Sequence, residues 1–128
     1  MPLRSDFKVL VFNEHLGDKE SDLNTEWPWK GNSTSTLDWR MAEPKESGYL
    51  LIQTYDVGNS NHKIIINDTD LPEFDIPKQR EYSWNTWMDI IEEGVMNSGS
   101  NSIRIVRAEG GDNFMVGTVV IHWREEIE

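Results

Sequence analysis

The segment that decides the fold is NFMVGTVVIHW, residues Asn113–Trp123. Its side chains divide between two faces, as in a β-strand, where successive residues point to opposite sides of the sheet. One face carries Met115, Gly117, Val119, Ile121 and Trp123, and the other carries Val116, Thr118, Val120, His122 and Arg124. The first face is apolar and the second is mixed, which predicts a strand with one side in a core and the other side partly covered.

Five further segments are rich in β-branched and aromatic residues and are predicted to be strands. They are Phe7–Phe12, Ser35–Met41, Gly48–Asp56, His62–Asn67 and Asn101–Arg107. The first is short and continuously apolar, which is typical of a buried strand. The Gly/Asn/Ser cluster between the third and the fourth predicts an antiparallel hairpin, although a pairing at longer range is also open. Many short strands with regular turn signals indicate an all-β antiparallel β-sandwich, or jelly roll.

One short helix is predicted at the edge of the sandwich, near residues 86–93. This segment starts with a capping-box pattern and ends at Gly94, which is a common helix stop. Trp84, Trp87 and Ile91 fall at helical spacing and would share one apolar face. We therefore expect the two tryptophans to anchor the helix in the core.

Length and charge restrict the class of protein. The chain has 128 residues, which fits a single domain spanning residues 1–128. It carries 23 acidic and 12 basic side chains, for a net charge of -11, and it has no cysteine. Such an acidic surface repels phosphate, so a nucleic-acid partner is not expected. The lack of cysteine excludes disulfides and thiolate metal sites.

Neither a membrane partner nor an export signal is indicated. No segment approaches the roughly 20 apolar residues that span a bilayer. Residues Met1–Asp6 lack the apolar segment of a secretory signal. The sequence leaves the compartment unknown, with the cytoplasm as the default expectation.

Residues 48–123 resemble the galactose-binding-domain-like jelly rolls, which occur as carbohydrate-binding modules and beside glycoside hydrolases. The segments that carry the resemblance are YLLIQTYDV (residues 49–57), HKIIIN (residues 62–67) and GSNSIRI (residues 99–105). The second segment ends in an Asn-Gly turn in that group. Here Asn67 is followed by Asp68, which tolerates left-handed backbone better than most residues. The resemblance implies a sandwich that binds a ligand on its end loops or on a sheet face, without naming the ligand.

Trp27 and Trp29 are the first candidate ligand contacts. They flank Pro28, so both indoles would point to one side of an extended segment and could stack on a sugar ring. The alternative is that they cap the open end of the sandwich as buried residues. Asp112 and Asn113, directly before the last strand and at its start, complete the predicted ligand-binding set.

A structural calcium ion is a further expectation. Jelly rolls of the resembling kind hold such an ion between an N-terminal loop and the last strand, and calcium prefers carboxylate oxygens. Asp18 and Asp22 in the first loop and Glu125 in the tail are the predicted ligands. The alternative is an acidic loop that is only solvated. No other cofactor is predicted.

Together these patterns predict a non-catalytic module that binds carbohydrate or a small polar ligand. The alternative is a structural or assembly protein that forms homo-oligomers or binds a protein through its aromatic surface, since six tryptophans are many for this length. A hydrolase with paired carboxylates stays open as a third reading, but the sequence has none of the common catalytic motifs. An enzyme is therefore not expected.

Overall fold

The computed structural model describes residues 2–71, 76–79, 81–108 and 112–127. These residues contain nine strands in two sheets and one 3-10 turn, Glu20–Asp22. The strands are β1 (Leu3–Leu16), β2 (Trp29–Gly31), β3 (Leu37–Met41), β4 (Lys45–Tyr55), β5 (Lys63–Ile66), β6 (Thr69–Asp70), β7 (Trp84–Ile91), β8 (Gly99–Val106) and β9 (Phe114–Glu126). One sheet has the order β2-β1-β9-β4-β7 and the other has the order β3-β8-β5-β6. The predicted all-β sandwich is confirmed.

β9, which contains most of the segment NFMVGTVVIHW, is the central strand of the five-stranded sheet. It pairs antiparallel with β1 on one side and with β4 on the other. The β1 register runs from Leu3 opposite Glu126 to Leu16 opposite Phe114, so the first and last strands pair over nearly their whole length. β7 closes one edge beside β4, and the short β2 pairs parallel with the end of β1.

The core lies between the two sheets and follows from the alternation of the strands. Inward-facing residues are buried, and their strand neighbours point to solvent. The five-stranded sheet contributes Leu10, Phe12, Leu50, Ile52, Val119, Ile121 and Trp123, and the four-stranded sheet contributes Trp39, Met41, Ile64, Ile66, Ile103 and Ile105. Burial of each such side chain stabilises the fold by roughly 1.5–3 kcal/mol before the entropy cost of ordering it.

The helix expected near residues 86–93 is wrong, because this segment belongs to β7. Exposure alternates along the strand from Trp84 to Ile90 and ends at the buried Ile91, which is the period of a strand. The strand pairs with β4 throughout, with Trp84 opposite Tyr55. The capping-box pattern is a local signal, and the ladder to β4 outweighs it. Across the described ranges no helix is long and apolar enough to cross a membrane.

Two strand expectations are also corrected by the topology. The segments Gly48–Asp56 and His62–Asn67 do not form a hairpin, because β4 and β5 lie in different sheets. The chain between them crosses the sandwich instead. β1 is not buried on both faces, since Phe7 on its outer face is 52 % exposed. The continuous apolar run in the sequence therefore belongs to a strand with one buried face and one exposed face.

The turn between β5 and β6 has the form implied by the resemblance. Asn67 and Asp68 both have positive φ, 51° and 63°, which is the pattern of a type I′ hairpin turn. Asn67 also donates from Nδ2 to Asn101 Oδ1 over 2.7 Å and accepts from the Ser102 N–H over 2.9 Å. Asp68 thus takes the place of glycine while the turn is kept.

Candidate functional site

One row of side chains crosses all five strands of the larger sheet near the end at which β9 begins. We call this the loop end. We call the row of side chains the aromatic row, and the strand register defines it as Trp29, His15, Met115, Tyr55 and Trp84. Directly opposite residues in a sheet point to the same face. For this row that face is the outer one, because the strand neighbours Leu16, Thr54 and Phe114 are buried inside the sandwich.

Trp84 contacts two other aromatic rings at this end. Trp84 lies between Tyr55, with ring centroids 5.3 Å apart, and Trp27, with centroids 5.5 Å apart and the rings close to edge-on. Trp84 still keeps 42 % of its surface exposed, and Trp29 keeps 41 %. Rings held in this way offer apolar contact area to a ligand at low conformational-entropy cost.

An open groove runs beside these rings and is formed by two adjoining clefts. The first cleft has a volume of about 460 Å³ and is lined by Asp22, Leu23, Asn24, Tyr55, Tyr82, Trp84 and Met115. The second has a volume of about 280 Å³, shares Asp22, Leu23 and Tyr82 with the first, and is also lined by Asp56, Gly58, Glu81, Asp112 and Asn113. The groove is therefore aromatic on one side and acidic on the other, and its size suits a small ligand.

The acidic side of the groove is held in place by backbone amides. The Asp112 carboxylate accepts from the Gly58 N–H, with both oxygens 3.0 Å from the nitrogen, and it lies 2.5 Å from His62 Nε2. Asp56, itself at a φ of 64°, accepts from the Tyr82 N–H over 3.0 Å. These bonds fix the loops around the groove, and the second one positions Tyr82, which is 74 % exposed.

The loop after β1 is fixed by an arginine and an asparagine. The buried Arg107 pairs with the Asp18 carboxylate over 2.8 Å. Asn113 accepts from the Asp18 N–H over 3.3 Å, and a Cβ on Gly17 would lie only 2.0 Å from its Oδ1. A side chain at position 17 would therefore have to displace Asn113. These contacts hold the 3-10 turn, whose Asp22 lines both clefts.

His15 of the row is a buried, uncharged side chain. It is 1 % exposed, and neither ring nitrogen has a hydrogen-bond partner in the part of the chain that the structure describes. Burial lowers the pKa of His15, an effect that Asp22 opposes and Arg107 reinforces. At neutral pH the imidazole is therefore neutral and acts as packing under the loop.

The structure brings the four predicted ligand residues to this end of the molecule. Asp112 and Asn113 line the groove. Trp27 is half-buried beside the aromatic row, and Trp29 belongs to the row and donates from its indole N–H to the Gly17 carbonyl over 2.9 Å. Each indole thus has its own contact within the folded chain.

The three residues predicted to bind calcium do not come together. Asp18 and Asp22 lie near the groove, whereas Glu125 lies roughly 35 Å along β9 from its loop end, because the tail continues the strand. The Glu125 carboxylate accepts from Arg4 Nη2 and from Trp123 Nε1, both over 2.8 Å. The bond from Arg4 is the main reason that its pKa is lowered. No three His, Asp or Glu side chains of the described residues are grouped to hold a metal ion.

Sequence reasoning missed the residues that give the groove its aromatic side. Trp84 was expected in the core as a helix anchor, but as a strand residue it points outward, and Tyr55 and Tyr82 were not considered. A signal was present in the alternation of Trp84, Met88 and Ile90, which a strand would place on one face. Helical spacing and strand alternation overlap in so short a segment.

Comparison with solved structures defines the class of fold. The chain is similar to a family 35 carbohydrate-binding module from an environmental isolate, with a TM-score of 0.59 and 18 % identity over 100 % of both chains. It is also similar to the CBM36-1 domain of a multidomain xylanase from the hindgut metagenome of Trinervitermes trinervoides. That match has a TM-score of 0.55 and 12 % identity over 91 % of this chain and 96 % of the other. The fold is thus that of carbohydrate-binding-module β-sandwiches, as the resemblance implied.

In sequence, the chain belongs to DUF7383, a family of unknown function whose profile matches residues 4–125. No curated protein matches it. At the identities given above, the solved structures show the fold alone.

Proposed function

We propose that the chain is a non-catalytic carbohydrate-binding module whose ligand lies in the groove and stacks on the aromatic row. The observation that carries this proposal is the exposed Trp84, held between Tyr55 and Trp27 beside an open cleft. Sugar rings have apolar C–H faces that suit such an aromatic surface. The polar groups across the groove can then bind the sugar hydroxyls.

The charges of the groove favour neutral sugars. Its lining includes Asp22, Asp56, Glu81 and Asp112, and the described lining residues include no lysine or arginine. Ionised carboxylates accept hydrogen bonds from hydroxyls. A uronic acid or a sulfated sugar would instead meet like charge at close range. We therefore expect a neutral glycan.

The acidic residues support binding rather than hydrolysis. A glycosidase needs one carboxyl group that donates a proton and a second one that is free to act on the other side of the bond. Asp56 and Asp112 already accept bonds from backbone amides, and Asp112 also contacts His62. Each of these carboxylates therefore has a role in loop structure, and its remaining lone pairs can accept from sugar hydroxyls.

The relatives in fold are consistent with this proposal. Both solved structures above are carbohydrate-binding modules, and one is a domain of a xylanase. Because one fold carries many functions, the groove and not the fold is the main support.

Titration with soluble polysaccharides tests the proposal, with tryptophan fluorescence as the readout because Trp84 and Trp27 lie at the groove. Neutral xylans, mannans and glucans are compared with the anionic polygalacturonate. We expect Trp84→Ala to weaken binding of the best neutral glycan by about 30-fold, as for a typical aromatic hot spot. The matched control Arg104→Ala, on the outer face of the four-stranded sheet, should bind as the wild type does.

Two results would overturn the proposal. One is that no neutral polysaccharide binds, and the other is that Trp84→Ala, shown to be folded by circular dichroism, binds as tightly as the wild type. Tighter binding of polygalacturonate than of every neutral glycan would contradict the charge argument and leave the aromatic contact standing.

A further inference from the structure

The middle of the outer face of the five-stranded sheet is apolar and carries no formal charge. We call it the apolar field, and its two rows are Phe7, His122, Tyr49 and Ile90, and Val9, Val120, Leu51 and Met88. His122 stacks on Tyr49 with ring centroids 4.2 Å apart, and burial lowers its pKa, so it is neutral at pH 7. More than half of the surface is exposed in Phe7, Val9, Met88 and Ile90. Monomeric proteins rarely expose extended apolar patches without a function.

The apolar field ends at an open strand edge. β2 pairs with β1 only at His15 and Leu16, so no described strand covers residues 3–12 on the side away from β9. The Phe7 N–H points to this edge and donates to the carboxylate of its own neighbour, Asp6, over 2.8 Å. Open edges of this kind are templates for pairing with another strand.

The direction of the Phe7 backbone follows from its neighbour in β9. The carbonyl oxygen of His122, which lies opposite Phe7, is turned towards Gly48 of β4. It therefore does not accept the Phe7 N–H. Backbone groups alternate in direction along a strand, so the odd-numbered residues of this part of β1 all present their N–H and C=O groups to the free edge.

We infer that a second copy of the chain pairs with this edge, β1 against antiparallel β1, about a two-fold axis through Phe7. The axis places Phe7 opposite Phe7, Ser5 opposite Val9, and Leu3 opposite Val11 of the second copy. Every one of these residues has its backbone groups at the free edge, so a continuous ladder forms. The pairing ends at Val11, where the regular register of β1 with β9 also ends.

Charges on β1 select this register. An axis through Phe7 puts Asp6 opposite Lys8 of the second copy, once on each side of the axis. Moving the axis by one residue puts Asp6 opposite Asp6, or Lys8 opposite Lys8, and like charges directly opposite each other are destabilising. An axis through Ser5 also pairs opposite charges, but within the described residues its ladder is confined to residues 2–8. Over the described part of β1, the Phe7 axis thus gives the longest overlap with complementary charge.

The dimer joins the two apolar fields and leaves the groove free. Phe7 of one copy meets Phe7 of the other at the centre, and the aromatic row lies beyond the paired part of β1. Each copy carries a net charge of -11, which opposes association at long range. Salt screens that repulsion, so we expect the dimer to be tighter at about 0.15 M than at about 0.01 M salt.

Sedimentation equilibrium of charge-swap variants tests the register. We expect Asp6→Lys and Lys8→Asp to weaken the dimer by about tenfold each. The variant with both substitutions should return to within about threefold of the wild type, because opposite charges face each other again. Asp38→Lys and Arg104→Asp are matched controls, with the same changes of net charge on the four-stranded sheet. They report the effect of net charge alone, which should be under about twofold at about 0.15 M salt, because exposed charges more than a Debye length apart are largely screened.

A disulfide gives a second readout that does not depend on charge, and the chain has no cysteine of its own. Opposite residues in a hydrogen-bonded antiparallel pair have Cα atoms about 5.5 Å apart, within disulfide range. Phe7→Cys should therefore form a covalent dimer on mild oxidation. Ser5→Cys is the matched control, since the two cysteines would lie roughly 13 Å apart.

Either of two results would overturn the inference. The first is a wild-type chain that stays monomeric up to about 0.5 mM. The second is cross-linking of Ser5→Cys as fast as that of Phe7→Cys, which would show that contact at β1 has another register. Circular dichroism of each variant separates a loss of pairing from a loss of folding.

Discussion

The two ends of β9 show how differently acidic side chains behave along one strand. At the far end, Glu125 is buried and its carboxylate accepts hydrogen bonds from Arg4 and Trp123. At the loop end, Asp22 is exposed beside the groove and Asp112 is only partly buried. A net charge of -11 therefore does not locate a site. What separates the two ends is that the Glu125 carboxylate is enclosed by its donors, whereas Asp22 and Asp112 each keep a side towards the groove.

Removal of the Glu125 carboxylate should give the largest effect on stability. We call the Glu125 end of β9 the closed end and the groove end the open end. We expect Glu125→Ala to lower the free energy of unfolding by about 2–3 kcal/mol, because the buried Trp123 Nε1 loses its acceptor and Arg4 its partner. Glycan affinity should stay unchanged, since Glu125 is far from the groove. Urea denaturation measures the first quantity and fluorescence titration the second. A loss of stability under about 0.5 kcal/mol would remove the contrast between the ends.

Asp112 combines the roles of the two ends, because it lines the groove and also fixes a loop. We expect Asp112→Ala to cost about 1–2 kcal/mol of stability through loss of its bonds to the Gly58 amide and His62. Glycan binding should weaken with it. Asp112→Asn, which keeps one acceptor oxygen, should lose less of both quantities in the same two assays. Unchanged stability in both variants would make Asp112 a ligand contact alone.

Acid should act on the closed end through Glu125. Its pKa is lowered from 4.5, mainly by the bond from Arg4. Because the pKa is lower in the folded state, the unfolded state takes up the proton first as the pH falls. The stabilisation is therefore complete above pH 4.5 and is lost as the pH falls through the folded-state pKa. Thermal melts from about pH 6 to 3 should show a smaller acid-induced fall in Tm for Arg4→Met than for the wild type. If the Tm of Arg4→Met fell with pH as steeply as that of the wild type, the bond from Arg4 would not be the source of the acid dependence.

Asp22 should give the smallest change in stability and so sharpen the contrast from the open end. Its carboxylate accepts from the Lys19 N–H over 3.1 Å, and an asparagine oxygen can replace that bond. We expect Asp22→Asn to change the free energy of unfolding by no more than about 0.5 kcal/mol. Neutral-glycan affinity should fall by about two- to fivefold, through one weaker hydrogen bond. A stability loss comparable to that of Glu125→Ala would show that Asp22 is a structural residue.

The fold was largely predictable because a strand with one buried face has an apolar residue at every second position. Asn113–Trp123 supplies most of the central strand of the larger sheet, and it follows this period except at one point. A shift of register between Val116 and Val119 places both of these residues in the core and leaves Met115 on the outer face, whereas the alternation in the sequence grouped Met115 with Val119. β7 was missed because Trp84, Trp87 and Ile91 also fit a helix, and eight residues are too few to separate the two periods. Its true partner, β4, lies some 30 residues earlier in the chain, and local sequence carries no sign of that pairing.

The candidate site was predictable in its loops but not in its sheet. Trp27 and Asp112 were found because they stand next to turn signals near a strand end. The aromatic row was missed because Tyr55, Met115 and Trp84 become neighbours only through the register of three strands. For the same reason Glu125 was wrongly grouped with the first loop, since no local pattern shows where a strand ends.

The pairing of β1 with β9 sets a constraint on synthesis. Arg4 and Glu125 are 121 residues apart in the chain, yet they bind each other in adjacent strands. During translation β1 emerges first, and the apolar residues of Phe7–Phe12 have no strand partner until β9 has left the ribosome. The larger sheet therefore assembles late, through contacts of high sequence separation, which favours slow folding. Until then, the repulsion between acidic nascent chains helps to keep an uncovered strand from aggregating.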